Sequence, residues 1–344
     1  MVTREASSPH QAPDATANRF IEKAIEQVQR LGSSQETSQL FPNGLKSLEL
    51  DLVASDGTRV SLKLASNDSS STEVTAPGTD SPIFVGKDVQ ATFNAEGHHV
   101  VALIARADLQ QRLPATMAKV QKILDNGGRD LLAAATFPDD IRSSHPETKP
   151  FHFIDIEFET GGPAIPPLPP APTVISKIAD FTAAIKRGGT PKDLIDPLSW
   201  LIHLVGDIHQ PLHCITHISS LHPRPDGDRG GNSFALRGHA RNLHSLWDSS
   251  VSFTAESEDQ IASDILQEHT RTELAADLRE TDTEQWARSS FNLAKQFAYA
   301  PLHENPSSPP KPTAQYLANT LKVGRRQAAL AGYRLADRLQ EVFD

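Results

Sequence analysis

The segment from Trp200 to His213, WLIHLVGDIHQPLH, combines an apolar helical pattern with histidine and aspartate. His203 and Asp207 are four residues apart, so on a helix their side chains share one face, with Cβ atoms about 5–6 Å apart. His213 follows Pro211, where the helix must bend or end. A divalent cation would satisfy both groups, because a carboxylate buried without a partner is costly. A hydrogen-bonded His–Asp pair inside a helical bundle is the alternative interpretation.

A second pair with the same spacing, His244 and Asp248 in NLHSLWD, follows the GGN sequence at 230–232. Histidine nitrogen with carboxylate oxygen suits Zn²⁺, whereas sites made only of oxygen favour Mg²⁺ or Ca²⁺. The single cysteine, Cys214, provides neither a cysteine-rich zinc site nor an intrachain disulfide. The pattern therefore predicts catalytic zinc sites with open coordination positions.

The elements that must position these residues are mostly helical. A helix is expected around Val100–Ala105, and further helical patterns cover 116–124, 129–135, 174–188, 191–209, 257–280, 283–298 and 313–342. Residues 161–173 contain closely spaced prolines and predict an irregular loop. Strand patterns are nearly absent after residue 93, so the predicted fold class is mainly all-α.

The N-terminal part of the chain has a different character. Residues 1–18 lack periodicity and predict a disordered tail. Residues 19–92 predict a small extension with one helix, a β-hairpin turning at Asp56-Gly57 and a flexible linker at 66–82. The main helical domain is expected over 93–344.

Composition limits the classes of function. The formal net charge of −10 argues against a broad basic surface for duplex DNA, so positive charge at a phosphate would have to be local, and bound metal is an obvious source. The first 20 residues contain no apolar segment of the kind that signal peptides carry, and no run is long enough to span a membrane. We expect a soluble monomer without an export signal.

Several separated motifs, in the order that the family shows them, resemble the S1/P1 nuclease family over residues 93–344. The motifs are HLVGDIHQPLH at 203–213, GGN at 230–232, NLHSLWD at 242–248, TFPDDIR at 136–142, FHFID at 151–155 and EGHHVVALIA at 96–105. The sequences EQWARSSFNLAKQFAY and AALAGYRLADRL also resemble the closing helices of the family. The resemblance implies a helical domain whose fold is shared with zinc phospholipases C.

The same resemblance implies three zinc ions. The first would be held by Asp139, His152, His203 and Asp207, and the second by His213, His244 and Asp248. His98 would share Asp207 with the third, which in the family is also chelated by the amino-terminal residue itself. Phe93 stands at that position here and lies inside the chain, without a free α-amino group. The third site is therefore one ligand short.

The implied activity is hydrolysis of single-stranded DNA and RNA, with 3′-nucleotidase activity beside it. A zinc-activated hydroxide would attack phosphorus in line with the leaving 3′ oxygen, with Asp139 orienting the water, Asp207 bridging two metals and Arg142 stabilising charge on the phosphate. A nucleobase would stack on Phe153 and bond to Asp155, although Phe153 could instead be a core aromatic. Asn232 could contact the nucleotide or simply cap the turn after two glycines.

Two other functions stay open at this stage. One is a zinc phospholipase C-like phosphodiesterase, against which Phe153, Asp155 and the GGN and NLHSLWD motifs favour nucleic acid. The other is a zinc-binding protein whose catalysis is impaired because the amino-terminal ligand is missing. Members of the family are usually secreted or periplasmic, and this sequence does not determine the compartment, the base preference or the role of residues 1–92.

Overall fold

A computed structural model describes the backbone of four short strands in the first part of the chain and nearly all of the rest. The described residues are 47–53, 59–65, 72–74, 83–85, 95–159, 161–253 and 256–343. The chain separates into two compact units, Met1–Val89 and Gln90–Asp344. The predicted tail at 1–18, the predicted helix within 19–31, the Asp56-Gly57 turn and Phe93 lie outside the described residues.

The first unit contains two antiparallel strand pairs. β1 (Ser47–Val53) pairs with β2 (Arg59–Ala65), as the alternation of leucine with polar residues predicted. β3 (Thr72–Val74) pairs with β4 (Ile83–Val85). The prediction of a linker over 66–82 is therefore wrong for three residues, because Thr72–Val74 find a pairing partner beyond the end of that segment.

The second unit is helical, and the predicted fold class is confirmed. Its helices are α1 (Ala95–Arg112), α2 (Pro114–Gly127), α3 (Leu131–Asp140), α4 (Val174–Lys186), α5 (Pro191–Asp207), α6 (Leu243–Asp248), α7 (Glu258–Glu268), α8 (Ala275–Leu278), α9 (Thr283–Leu293) and α10 (Ala314–Phe343). Short 3₁₀ helices lie at Pro146–His152 and Pro211–Cys214, and α9 continues into a π-helical segment, Ala294–Tyr299. Within the described residues, no helix is both long enough and apolar enough to cross a membrane.

The central helix of this unit is α5, which carries two of the predicted ligands at its end. It starts with a capping box in which the Thr190 and Asp193 side chains each accept a hydrogen bond from the other residue's backbone N–H. Leu198, Leu201 and Leu204 are fully buried, and each contributes about 1.5–3 kcal/mol relative to exposure. Helices α2, α3 and α4 pack against α5, while α10 packs along α1. The buried helix thus holds its last turn rigidly inside the unit.

The prediction of one continuous helix over 257–280 is wrong. Helix α7 ends at Glu268, and His269 leaves it with φ −135° and ψ 77°. The Thr270 hydroxyl then accepts the backbone N–H of Glu273 at 3.2 Å. A threonine that bonds the backbone in this way competes with the helical pattern, which sequence periodicity alone does not reveal.

Two short strands place the FHFID segment beside the second 3₁₀ helix. β5 (Glu157–Phe158) pairs in parallel with β6 (Thr216–His217), and the backbone N–H of Ile154 donates to the carbonyl of His213 at 2.8 Å. Ile154 and Ile156 are buried in the core. Asp155 lies between them and Phe153 directly before them, and the alternation of an extended segment points these two side chains away from the core.

Candidate metal centre

Eight side chains predicted to bind metal converge in the second unit. They are His98 from α1, Asp139 from α3, His152 and His213 from the two 3₁₀ helices, His203 and Asp207 from α5, and His244 and Asp248 from α6. They contain three overlapping sets in which the possible ligand atoms lie within 4.8 Å of one another. These sets are His98 with His203 and Asp207, Asp139 with His152 and His203, and His213 with His244 and Asp248. Seven are buried, and the Asp139 side chain is 16% exposed. The cluster therefore opens towards solvent at Asp139.

The first group consists of Asp139, His152, His203 and Asp207. It joins the end of α5 to α3 and the first 3₁₀ helix. Asp207 Oδ2 lies 3.1 Å from His203 Nε2 and 3.1 Å from His152 Nδ1. Asp139 Oδ1 lies 3.8 Å from the same two nitrogens. The structure thus brings together the four residues that the family resemblance assigned to one site.

The second group lies next to the first. Asp248 Oδ1 is 3.5 Å from His244 Nε2 and 3.8 Å from His213 Nε2. His213 also faces the first group, because its Nδ1 is 3.3 Å from Asp207 Oδ1. Asp207 therefore links the two groups.

His98 reaches the same carboxylate from α1. Its Nε2 lies 3.5 Å from Asp207 Oδ1 and 4.0 Å from Asp139 Oδ2. Its ring stacks on that of His203 with the centroids 3.7 Å apart. His98 is thus placed where the resemblance expected it, whereas Phe93, the other residue predicted at this third site, is not described.

Three of the histidines are oriented by backbone carbonyls. Each uses Nδ1 against an oxygen that can only accept, which makes Nδ1 the donor and leaves Nε2 with a lone pair when the ring is neutral. The acceptors are Ala135 for His203 at 2.7 Å, His152 for His213 at 2.9 Å and Gly230 for His244 at 2.8 Å. This is the usual support of a metal-ligating histidine.

The hydrogen bonds of the cluster leave buried atoms unsatisfied. Within the described residues, the following buried atoms make no hydrogen bond: Asp139 Oδ1, His152 Nε2, Asp207 Oδ1, His213 Nε2 and Asp248 Oδ2. Buried polar atoms are normally satisfied, and each one left without a partner costs about 1–3 kcal/mol. A cation would satisfy several of them together, and a set of nitrogen and oxygen donors without sulfur fits zinc. The residues present therefore fit the metal that the family resemblance implies.

The electrostatics of the cluster also favour a bound cation. Burial raises the pKa of Asp207, but His203 and His213 lower it more, so it stays well below its usual range. Burial by itself lowers the pKa of His213, but the carboxylates of Asp207 and Asp248 have the larger combined effect and raise the pKa to about 9. Burial lowers the pKa values of His98, His152 and His244. Asp207 is thus ionised, and His98, His152 and His244 are neutral, which are the forms that bind metal. Despite its burial, the pKa of His203 is raised, like that of His213, because carboxylates lie beside the ring.

A cavity of about 320 Å³ opens beside the cluster. Its lining includes the candidate ligands His152, His213 and His244 together with Arg142, Phe153, Asp155, Arg229 and Asn232. Arg142 reaches towards the first group, with its guanidinium 3.9 Å from Asp139 Oδ1. The size falls within the range of small-molecule binding sites.

Each residue predicted to contact a nucleotide lines this cavity. Phe153 is half-buried and is not among the hydrophobic residues that pack in the core, so the structure favours the cavity position over the core alternative. Burial and the neighbouring Asp228 raise the pKa of Asp155 to about 6. Asn232 donates from its side-chain amide to the carbonyl of Arg229 at 2.9 Å, which is the turn-capping role. Its position still borders the cavity.

Sequence reasoning did not single out Gln210, although it lies within the HLVGDIHQPLH motif. The Gln210 side chain is buried, donates to Asp248 Oδ1 at 2.7 Å and accepts the backbone N–H of Leu212. It therefore orients one candidate ligand from the other side of the second group. Cys214 is a buried thiol against the Ile208 carbonyl, as expected for a small core residue.

Other nearby histidines have partners elsewhere. His209 accepts a hydrogen bond from Arg334 at 2.8 Å, and His222 pairs with Glu304 at 2.7 Å. His217 stacks on Phe158 with centroids 5.1 Å apart.

The fold and the cluster together define a helical protein built around a candidate His/Asp metal centre. The sequence profile of the S1/P1 Nuclease family matches residues 93–344, and the chain therefore belongs to the S1/P1 nuclease family. As a member of this family it is a nuclease, a hydrolase that acts on nucleic acid.

Characterised relatives come from plants and fungi. Endonuclease 2 from Arabidopsis thaliana is 25% identical over 283 residues, which cover 72% of this chain and 89% of that protein. Endonuclease 4 from the same plant is 26% identical over 281 residues, covering 72% of this chain and 88% of that protein. Nuclease S1 from Aspergillus oryzae is 28% identical over 164 residues, covering 45% of this chain and 53% of that protein.

Proposed function

We propose that this nuclease is zinc-dependent and hydrolyses phosphodiester bonds in single-stranded DNA and RNA, with 3′-nucleotidase activity as a companion. The observation that carries the proposal is the cluster of histidines and aspartates that faces a cavity lined by Arg142 and Phe153. Its support is that side chains able to bind a metal, a phosphate and a stacked base lie side by side. The similar proteins named as endonucleases support the same reaction class.

The distances support the zinc ligands that the family resemblance implies. The first ion would be bound by Asp139, His152, His203 and Asp207, and the second by His213, His244 and Asp248. When bound, zinc would lower the pKa of a coordinated water to about 7 and so supply a nucleophile at neutral pH.

Two residues at the mouth of the cluster act on the phosphate and the water. Asp139 is the most exposed of the eight candidate ligands, and on this proposal its carboxylate orients a water that enters from solvent. Arg142 presents a permanent positive charge beside it, 32% exposed. A guanidinium binds phosphate oxygens in a bidentate manner and stabilises the charge that develops as the bond to the leaving oxygen breaks.

Base recognition depends on Phe153 and Asp155, which follow the candidate ligand His152 by one and three positions and line the cavity. Stacking on an aromatic ring contributes about 1–3 kcal/mol per base, tolerates any base and requires an unpaired one. A net charge of −10 offers no general affinity for duplexes. Single strands are therefore the preferred substrates.

The test is turnover by the zinc-loaded full-length protein. We expect rapid cleavage of single-stranded DNA and RNA, much slower cleavage of the matched duplex, release of phosphate from a nucleoside 3′-monophosphate, and no hydrolysis of phosphatidylcholine. Hydrolysis of phosphatidylcholine that is faster than cleavage of single-stranded DNA would indicate a phospholipase. Zinc binding without turnover of any of these substrates would indicate a binding protein. Equal rates on single strand and duplex would contradict the stacking argument.

The Phe153→Ala substitution is expected to raise KM for dinucleotides about five- to 150-fold, the range that corresponds to the loss of one stacked base. Zinc content should not change, because Phe153 is not a ligand. Phe153→Tyr is the matched control, since it retains an aromatic face and should keep KM within about twofold. Wild-type kinetics in the alanine variant, or loss of zinc, would contradict this role.

The third site predicts a dependence on the chain before Phe93. A backbone amide is not a competent ligand, so the intact chain should bind the third zinc weakly. A protease site placed so that cleavage leaves Phe93 as the first residue would create an α-amino group five positions before His98 in the sequence. We expect zinc per chain, measured by native mass spectrometry, to rise by one after cleavage. Three zinc ions in the intact chain, with no gain on cleavage, would show that another ligand completes the site.

A further inference from the structure

Arg229 lies at the rim of the cavity beside Asn232, and the mechanism above does not use it. Its side chain is exposed and lines the cavity. Within the described part of the chain, its backbone N–H and carbonyl are hydrogen-bonded, but no hydrogen bond or ion pair joins its guanidinium to another group. A permanent cation is therefore available to a ligand there.

The backbone holds Arg229 in an unfavourable conformation. Its φ is 58°, and it is the one non-glycine residue with positive φ among the described residues. A side chain in the left-handed region costs about 1 kcal/mol or more, and such residues persist only where the surroundings enforce them. Strain of this kind often occurs where a side chain must be presented to a ligand.

The enforcing contacts are on both sides of Arg229. A side chain at Gly227 would collide with the Thr216 hydroxyl, and one at Gly230 with the Leu212 carbonyl. Between them, the buried carboxylate of Asp228 accepts the backbone N–H of His217 at 2.8 Å and the Tyr299 hydroxyl at 2.7 Å. The turn is thus pinned against the segment that follows the second 3₁₀ helix.

The same turn supports the metal cluster. The Gly230 carbonyl accepts the hydrogen bond from His244 Nδ1 at 2.8 Å. Because Gly230 directly follows Arg229, this hydrogen bond fixes the Arg229 backbone relative to the candidate ligand His244. In contrast to Arg142, which lies 3.9 Å from Asp139, Arg229 forms no ion pair with any of the eight candidate ligands in the described chain. Both cations line the same cavity.

We propose that Arg229 binds a second phosphate of the substrate strand, adjacent to the one that is hydrolysed, and so determines a preference for oligonucleotides over mononucleotides. This inference rests on the proposed function of the same site. A nucleoside 3′-monophosphate has one phosphate, which lies at the metals, whereas a strand continues into the cavity with another. Asp155 and Asp226 also line the cavity, and Arg229 offsets their repulsion of that phosphate.

The test uses the full-length, zinc-loaded protein and its Arg229→Asn and Arg229→Lys variants. Asparagine tolerates the left-handed backbone without the charge, and lysine keeps the charge. Binding of a labelled, uncleavable phosphorothioate oligothymidylate is followed by fluorescence anisotropy from about 50 to 200 mM salt. Cleavage of oligothymidylate and of thymidine 3′-monophosphate is measured in parallel. Arg224→Asn is the matched control, because that neighbouring arginine is already paired with Glu157 and Glu159.

We expect Arg229→Asn to reduce the slope of log affinity against log salt by about 0.7, the value for one single-strand phosphate contact. Cleavage of the mononucleotide should stay within about twofold of wild type, Arg229→Lys should keep most of the slope, and Arg224→Asn should keep all of it. An unchanged slope in Arg229→Asn, or equal losses on both substrates, would overturn the proposal. Cleavage by wild type with no slope change would retain the nuclease proposal and reject this one. A slope change in Arg229→Asn without any cleavage by wild type would reject the nuclease proposal and retain the phosphate contact of Arg229.

Discussion

The Asp207→Asn substitution is expected to lower kcat/KM by more than about 100-fold, a rise in the barrier of about 2.7 kcal/mol, and to lower the zinc content by about one ion per chain. The reason is the number of groups that this one carboxylate joins. Its two oxygens lie 3.1–3.5 Å from nitrogens of His152, His203, His213 and His98. An amide at this position carries no charge and has one acceptor oxygen instead of two. The first group therefore loses a ligand, and His98 and His213 lose the negative charge that faces them.

Two further variants make the result specific. Asp248→Asn should have a smaller effect, because Asp248 faces two histidines at 3.5 and 3.8 Å. Asp196→Asn repeats the same chemical change on the same helix, at a carboxylate that is 59% exposed and pairs with Arg129, and should leave both activity and zinc content unchanged. If Asp207→Asn retained more than about a tenth of wild-type activity, Asp207 would be a supporting residue and not a bridging ligand.

Removal of zinc by a chelator is expected to abolish activity and to lower the melting temperature. Without metal, the folded protein must bury the ionised Asp207 carboxylate together with several polar atoms that have no hydrogen-bond partner. Zinc at roughly a thousand times its Kd would stabilise the folded state by about 4 kcal/mol, which corresponds to a Tm difference of roughly 8–16 °C for a unit of this size.

The chelation experiment is read by calorimetry and by turnover on single-stranded DNA. Zinc should restore both Tm and activity, whereas Mg²⁺ should restore neither, because it prefers a shell of oxygen ligands. The chelator effect should also be smaller in the Asp207→Asn variant, which lacks the zinc of the first site from the start. A chelated protein with full activity and unchanged Tm would contradict a zinc-dependent mechanism.

Local patterns in the sequence predicted the helical class and the two ligand pairs, because helix geometry relates residues four apart without any long-range contact. His203 and Asp207 are therefore on one face whatever surrounds α5, and the same holds for His244 and Asp248 on α6. The antiparallel pairing of β1 with β2 followed in the same way from residue alternation. Helix ends were less predictable, as the break after Glu268 shows, because one threonine hydroxyl changed the local hydrogen bonding.

The convergence of the pairs was beyond any local pattern. The family resemblance, and not spacing, implied that His98, Asp139 and His152 belong with Asp207, and the tertiary structure brings them within 3.1–4.0 Å of the cluster. The strained turn that presents Arg229 was not predicted from the sequence. The contacts that hold it come from Thr216, Leu212 and Tyr299, which lie more than ten positions away along the chain. Periodicity therefore determined which side chains share a helix face. Packing of α1, α3 and α6 around the end of α5 decided which faces meet, because that depends on contacts between residues up to about a hundred positions apart.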